Sequence, residues 1–504
     1  MSVNMKKKEF TVKEVVCAAF GETKAECDVI VPDIKPDISK VLYVCARPYI
    51  TQKTVQQDKA YIRGVASATV VYIPEGGGIK SLCAEIDFSH IIEAKGAKEG
   101  NCIFAEAVCE KTEYSLINSR KINIKCAIGI DMKICEIKNM QIPEEIENNG
   151  SIQMKRHDMK FMCMGAEREV DFSVNERIEI PSGKSDIEEI ITSEIRRVSG
   201  ETRENKLCGE MRVAITYISG EENGMLQSVE ETFPFEAELP FTSEGLCDIS
   251  YIVKDICTEL DEDPSGAERI VRLSANMTAV IRECEKCDFN IISDAFGLEK
   301  ELVLTKNEYR TETVAARETT QISHKEEIDI PEYLPPIARI CDVSSSVRLC
   351  EILIEDGRVT ISAEADTNII YESEGEVSGF SHISRFSQTI DVTAAKADSI
   401  CEAKAELDHI GYNITSDTEM ELRFTVNASV TLLKDEIIDV IEEIDTAECE
   451  EEEKKSAAVI YFPHDGEEIW EVAKKYRVAP ERIREENNLE DETLCKGQKI
   501  CIFR

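Results

Sequence analysis

Cys284 and Cys287, three residues apart, come nearest in this chain to a metal-ligand spacing. A zinc site needs about four ligands, and no second cysteine pair or histidine lies near them. The six histidines, His90, His157, His324, His382, His409 and His464, fall in no ligand spacing either. Gly76-Gly77-Gly78 follows a strand-like run, but Ile79-Lys80-Ser81 lacks the lysine–serine order of a phosphate loop, so it reads as a hairpin loop. Asp33 and Asp37 have the chemistry of paired carboxylates, yet neither is expected to recur in the same context elsewhere in the chain. No nucleophile–base constellation stands out and no cofactor is implied, so the expectation is a protein without catalysis. The stretch with the most ordered local pattern is the last one. It holds Trp470, the sole tryptophan, with Asp465, Gly466, Glu467 and Glu468 before it and Asn488, Leu489 and Glu490 after.

The elements that must position these residues run from Val459 to Ile502. A strand-like run, Ala458 to Phe462, leads into a turn at Pro463-His464-Asp465-Gly466. Ile469, Val472, Ala473 and Tyr476 then recur at spacings of three and four, which places them on one helix face. Pro480 suits the first position of a second helix, where its missing N–H would be unpaired anyway. That helix ends near Asn487-Asn488-Leu489, and Lys499 to Ile502 forms a closing strand. Trp470 lies at the edge of the apolar stripe, placed either to close a small core or to anchor an interface, where tryptophan is enriched.

This β-α-α-β stretch resembles a LysM domain. The matching residues are Gly466, Ile469 to Tyr476, Val478, Asn487-Asn488-Leu489 and Lys496 to Ile500. The resemblance implies a shallow groove for N-acetylglucosamine-containing glycan between the loop 464–468 and the loop 488–491. The family usually carries Asp-Thr after its glycine; here Glu467-Glu468 stands there, and a carboxylate can only accept hydrogen bonds. That change shifts the expectation from a sugar toward a protein partner.

The chain has 504 residues, enough for several domains. Its formal charge is −40, with 99 acidic against 59 basic residues, which argues against nucleic acid or an anionic lipid surface as a bulk electrostatic partner. Met1 to Lys8 is basic, but no apolar run or cleavage site follows, so no secretory signal is expected. No run reaches the roughly 18–20 apolar residues of a membrane span. A cytoplasmic location is expected, with the 20 cysteines as reduced thiols. Cys45, Cys126, Cys208, Cys350 and Cys401 sit where a strand wants a small apolar residue.

Before the terminal module one unit is written three times, with a period of about 150 residues. A strand ending in proline recurs at Pro32, Pro181 and Pro331, and an isoleucine follows six residues later at Ile38, Ile187 and Ile337. Next comes an alternating strand ending in tyrosine. Ile62, Gly64, Ala66, Ala68, Val70 and Tyr72 share one face in the first copy; Met211, Val213, Ile215 and Tyr217 do so in the second; Val359, Ile361, Ala363, Ala365, Ile369 and Tyr371 in the third, with Thr367 as the polar exception. Alternation of period two means half-buried strands. The fold expected is mainly β: three tandem β-sandwich-like repeats of about 130 residues followed by a small βααβ LysM domain. The copies span residues 8–140, 165–290 and 312–436, the acidic stretch 437–456 is a linker, and the module covers 457–504. Like-charge runs extend, so the module is expected to be tethered rather than packed against the rest.

The phrase Asp28-Val29-Ile30-Val31-Pro32-Asp33-Ile34-Lys35-Pro36-Asp37-Ile38 is similar to the hallmark of the SPOCS domain of endospore-forming bacteria. Copies two and three keep the proline and isoleucine only. SPOCS-type repeats followed by one LysM resemble the SipL family of spore coat morphogenesis. The resemblance implies a structural adaptor in the mother cell, at the forespore surface, whose LysM module binds the coat ATPase SpoIVA, with other coat proteins as further candidates. The alternative reading is a spore-envelope protein that binds peptidoglycan or another glycan through the same module.

Overall fold

The structure is a computed structural model and describes residues 3–146, 151–220, 225–243, 246–264, 266–447 and 458–503. The chain is mainly β, built of several small sheets, with two short helices near its C-terminal end. The first unit comprises β1 (Met5–Ile30), β2 (Ile38–Gln56), β3 (Lys59–Pro74), β4 (Lys80–Glu93), β5 (Cys102–Asn118) and β6 (Lys121–Ile146). The second comprises β7 (Ile152–Glu179), β8 (Ile187–Ser219), β9 (Leu226–Ser243), β10 (Leu246–Glu262) and β11 (Glu268–Gly297). The third comprises β12 (Glu301–Asp329), β13 (Arg339–Glu355), β14 (Arg358–Ser373), β15 (Glu376–Asp391), β16 (Ile400–Ile414) and β17 (Glu419–Ala447).

In the first unit the sheet β1-β6-β5 and the sheet β2-β3-β4 share one apolar cluster. In the third, β12-β17-β16 and β13-β14-β15 do the same. The second unit repeats the plan with one strand fewer by count. Its β8 turns back on itself at Glu204, the residue with φ of 54°, and a Cβ on Gly209 would sit 2.3 Å from the Ser199 carbonyl. The alternation read from the sequence is the one observed: Ile62 to Tyr72, Met211 to Tyr217 and Val359 to Tyr371 bury every second residue. Thr367 is buried among them and shares a 2.9 Å hydrogen bond with Ser345.

The repeated proline and tyrosine belong to one device. In each unit the residue three after the proline donates its N–H to the proline carbonyl: Lys35 to Pro32, Lys184 to Pro181, Leu334 to Pro331, all at 2.8–2.9 Å. Tyr72, Tyr217 and Tyr371 are fully buried and donate back to this loop. Their acceptors are the carbonyls of Pro36 at 3.1 Å, Ser185 at 3.3 Å and Pro335 at 2.7 Å. A buried polar group must be paired, so the tyrosine fixes where the loop crosses the core.

Asp37 is a fastener. It accepts from Ser119 Oγ at 2.8 Å and from Arg120 at 2.5 Å, and both bonds hold its carboxyl below the usual value. The absence of a counterpart, expected from the sequence, is corrected here. Asp186 occupies the equivalent place in the second unit and accepts from Arg269 at 2.6 Å. In the third unit Pro336 and Thr418 stand at the two positions, so both members of the pair are replaced together.

The expected boundaries at 140, 165, 290, 312 and 436 fall inside β6, β7, β11, β12 and β17. Residues 141–146 and 152–160, read as a polar connector, and 437–447, read as the start of an acidic linker, are strand. The outer halves of β1/β6, β7/β11 and β12/β17 continue as three ribbons that pack together. One shared cluster takes Val12 and Met140 from the first, Phe289 and Ile291 from the second, Tyr309, Ile438 and Val440 from the third. A second takes Ile146, Ile152, Ile292, Ala295, Ile441 and Ile444. Residues 448–456 of the expected linker, and 147–150, lie outside the described residues.

Candidate protein-binding site on the C-terminal module

The last unit begins with β18 (Ala458–Tyr461), which pairs antiparallel with the final strand. It continues through β19 (Glu467–Glu468), α1 (Ile469–Tyr476), α2 (Pro480–Asn487), β20 (Thr493–Leu494) and β21 (Ile500–Phe503). Ile469, Val472, Ala473, Val478, Ile483, Leu494, Ile500 and Ile502 form its core. Both helices end on a left-handed residue, Arg477 and Asn488. Asn487 locks α2 to β21: its side-chain amide donates to the Cys501 carbonyl at 2.7 Å and its Oδ1 accepts from the Cys501 N–H at 2.7 Å.

The structure divides the expected site residues into three groups. Asp465, Gly466, Asn488 and Glu490 are exposed. The first of the two loops that hold them is tied to β20 and the turn after it, since Gly466 N–H donates to the Leu494 carbonyl at 3.0 Å and Lys496 N–H to Asp465 at 3.3 Å. Glu467 and Leu489 face inward. Glu467 accepts from the Tyr461 hydroxyl at 2.7 Å and from the His464 N–H at 3.0 Å. Partial desolvation opposes ionisation of Glu467, but these two bonds win and hold it below the usual carboxylate value, while Tyr461 is pushed up to about 12 by the same bond.

Glu468 and Trp470 form the third group, and they face the second unit. Glu468 pairs with Lys155 of β7. The Trp470 indole N–H donates to Asp294 of β11 at 2.9 Å, and its ring meets Phe296 edge-on at 5.0 Å between centroids. Lys474 donates to the same Asp294 carboxylate at 2.7 and 2.8 Å, and Arg477 lies 3.6 Å from Glu301. Phe296 joins the module's own core cluster. The expectation of a loosely tethered module is therefore corrected. A like-charge tether says nothing about a cationic helix face meeting an acidic ribbon end.

Sequence reasoning missed a further surface. Ile460, Phe462 and Phe503 are 54%, 64% and 42% exposed, on the face of β18 and β21 turned away from the helices. The run Ala458 to Phe462 was legible as a strand, but an isolated strand does not reveal which face is covered.

Two other places gather groups that could carry chemistry. Cys284 and Cys287 lie mid-strand in β11, where residues three apart point to opposite faces; Cys284 is buried, and Cys287 lies 3.3 Å from Cys163. No group of three or more metal-binding side chains occurs among the described residues. A cavity of about 430 Å³ lies between the second and third units, beside Met162, Cys284, Ala315 and Thr431. Its charged walls are paired: Asp248 with Arg317 and Lys404, Glu402 with Lys133 and Arg282.

A family model described as SipL, SPOCS domain matches residues 37–117 and 336–415. The first and third units each match the SPOCS domain of SipL. The two matches run from the end of the proline loop through β5 in the first unit and through β16 in the third, leaving the long outer strands, the second unit and the module outside. The match supports a structural role in spore coat assembly. Searches of the curated proteins and of the solved structures found no match. No helix among the described residues is long and apolar enough to cross a membrane.

Proposed function

We propose that this chain is an adaptor of the spore coat in which three tandem SPOCS-type β-sandwiches carry a LysM module that binds protein. The second unit enters this reading through its shared proline loop and buried tyrosine. The partner proposed is a SpoIVA-type coat ATPase, met at the forespore surface in the mother cell. The observation that carries the choice of protein over glycan is the exposed apolar face of Ile460, Phe462 and Phe503 beside the Asp465-Gly466 loop. Exposed aromatic and aliphatic groups in one patch mark protein contact surfaces, whereas a sugar groove needs hydrogen-bonding groups placed for hydroxyls.

The test is a pull-down of the ATPase by the full chain carrying Phe462→Ser with Glu490→Lys. Both side chains are exposed, so the melting curve should stay unchanged. Capture should fall by tenfold or more. Full capture by the double variant would remove this face from the binding site.

A further inference from the structure

The side chains that hold the module to the second unit include two of those expected to meet a partner. We propose that the docked arrangement is a closed state: the ribbon end formed by Lys155, Asp294 and Phe296 occupies the Trp470–Glu468 face of the module, and a partner using that face must displace the ribbon. The proposal rests on the reading of the module as a protein-binding one.

Two observations carry it. First, the receptor exists on one ribbon of the three. The register of β6, β11 and β17 against their partner strands puts Glu145, Asp294 and Glu443 at equivalent places. Two residues on, the first and third units have Glu147 and Asp445, and the second has Phe296. An aromatic ring at that ribbon end would lie open unless something covered it, and the module does. Second, the contacts are of a reversible kind. Lys155–Glu468 and Arg477–Glu301 are half-exposed pairs, which are individually weak, and only Asp294, at 20% exposed, is more enclosed.

Trp470 is the sole tryptophan and therefore reports its own docking. The experiment compares the full chain with Asp294→Lys, which sets a cation against Lys474, and with Lys155→Glu, which sets a carboxylate against Glu468. Each is examined by tryptophan emission with acrylamide quenching and by titration with the SpoIVA-type ATPase. The expected result is red-shifted, more quenchable emission in both variants and binding about tenfold tighter than that of the unaltered chain. Unchanged emission in both variants would overturn the latch itself. Exposed tryptophan with equal or weaker binding would overturn the competition while leaving the partner reading intact. Absence of ATPase binding to every form would refute the partner reading and the proposal with it.

Discussion

Asp294 is a single carboxylate that gathers an indole N–H and an ammonium from another unit. Partial burial opposes its ionisation, but the Lys474 and Trp470 bonds outweigh that and hold it below the usual carboxylate value. The sign follows from linkage: a group whose value is lowered on docking contributes fully above its free value, about 3.9, and loses that contribution as pH falls through the lower docked value. Docking, followed by Trp470 emission, should therefore be constant from pH 8 to 5 and fail only on strong acidification. The buried tyrosines act on stability instead. Tyr371→Phe leaves the Pro335 carbonyl without its 2.7 Å donor, at a cost of about 1 kcal/mol in urea unfolding. At this scale the sequence revealed residue types but few pairings. Pro32, Ile38 and Tyr72 were legible because they recur. Arg120 was not, because it stands 83 residues from Asp37, and Asp186 was masked by the different residues around it.

The elements show why the strands were found and their ends were not. Period-two alternation was plain in β3 and β14, where one unit supplies both sheets around its core. Gly64 belongs to that face for a steric reason: a Cβ there would stand 2.4 Å from the Tyr49 carbonyl and 2.3 Å from the Phe88 ring. Gly64→Ala should destabilise the first unit by roughly 1–3 kcal/mol, seen as a lower unfolding midpoint. The ribbon ends at 141–146, 152–160 and 437–447 were read as connectors because the surface that buries Ile142 or Ile438 comes from the other two units. No window of one repeat contains that information. The module was the reverse case. Its helices follow from spacing and from Pro480, while its docking depends on Phe296, far away in the chain.

Across the whole molecule, the three units touch head to tail: β2 meets β15, β13 meets β9, and β8 meets β4. Such heterologous contacts close when the rotation between copies allows it, which accounts for three ribbons sharing one core. Charge distinguishes the copies at equivalent positions. Phe104, Asp248 and Glu402 face Lys133, Arg282 and Thr431 across their strands. Lys133 of the first unit reaches Glu312 and Glu402 of the third at 2.7 Å each. Lys133→Glu would set three carboxylates together in a largely buried seam and should cost roughly 3–5 kcal/mol, read as a lower urea midpoint.

The proposed adaptor joins proteins through its terminal module. The direct measurement titrates the full chain with a SpoIVA-type ATPase and, in parallel, with soluble chito-oligosaccharides. The account predicts micromolar or tighter binding to the ATPase and none to the sugar. Binding to the sugar alone would contradict it and make the chain an envelope anchor.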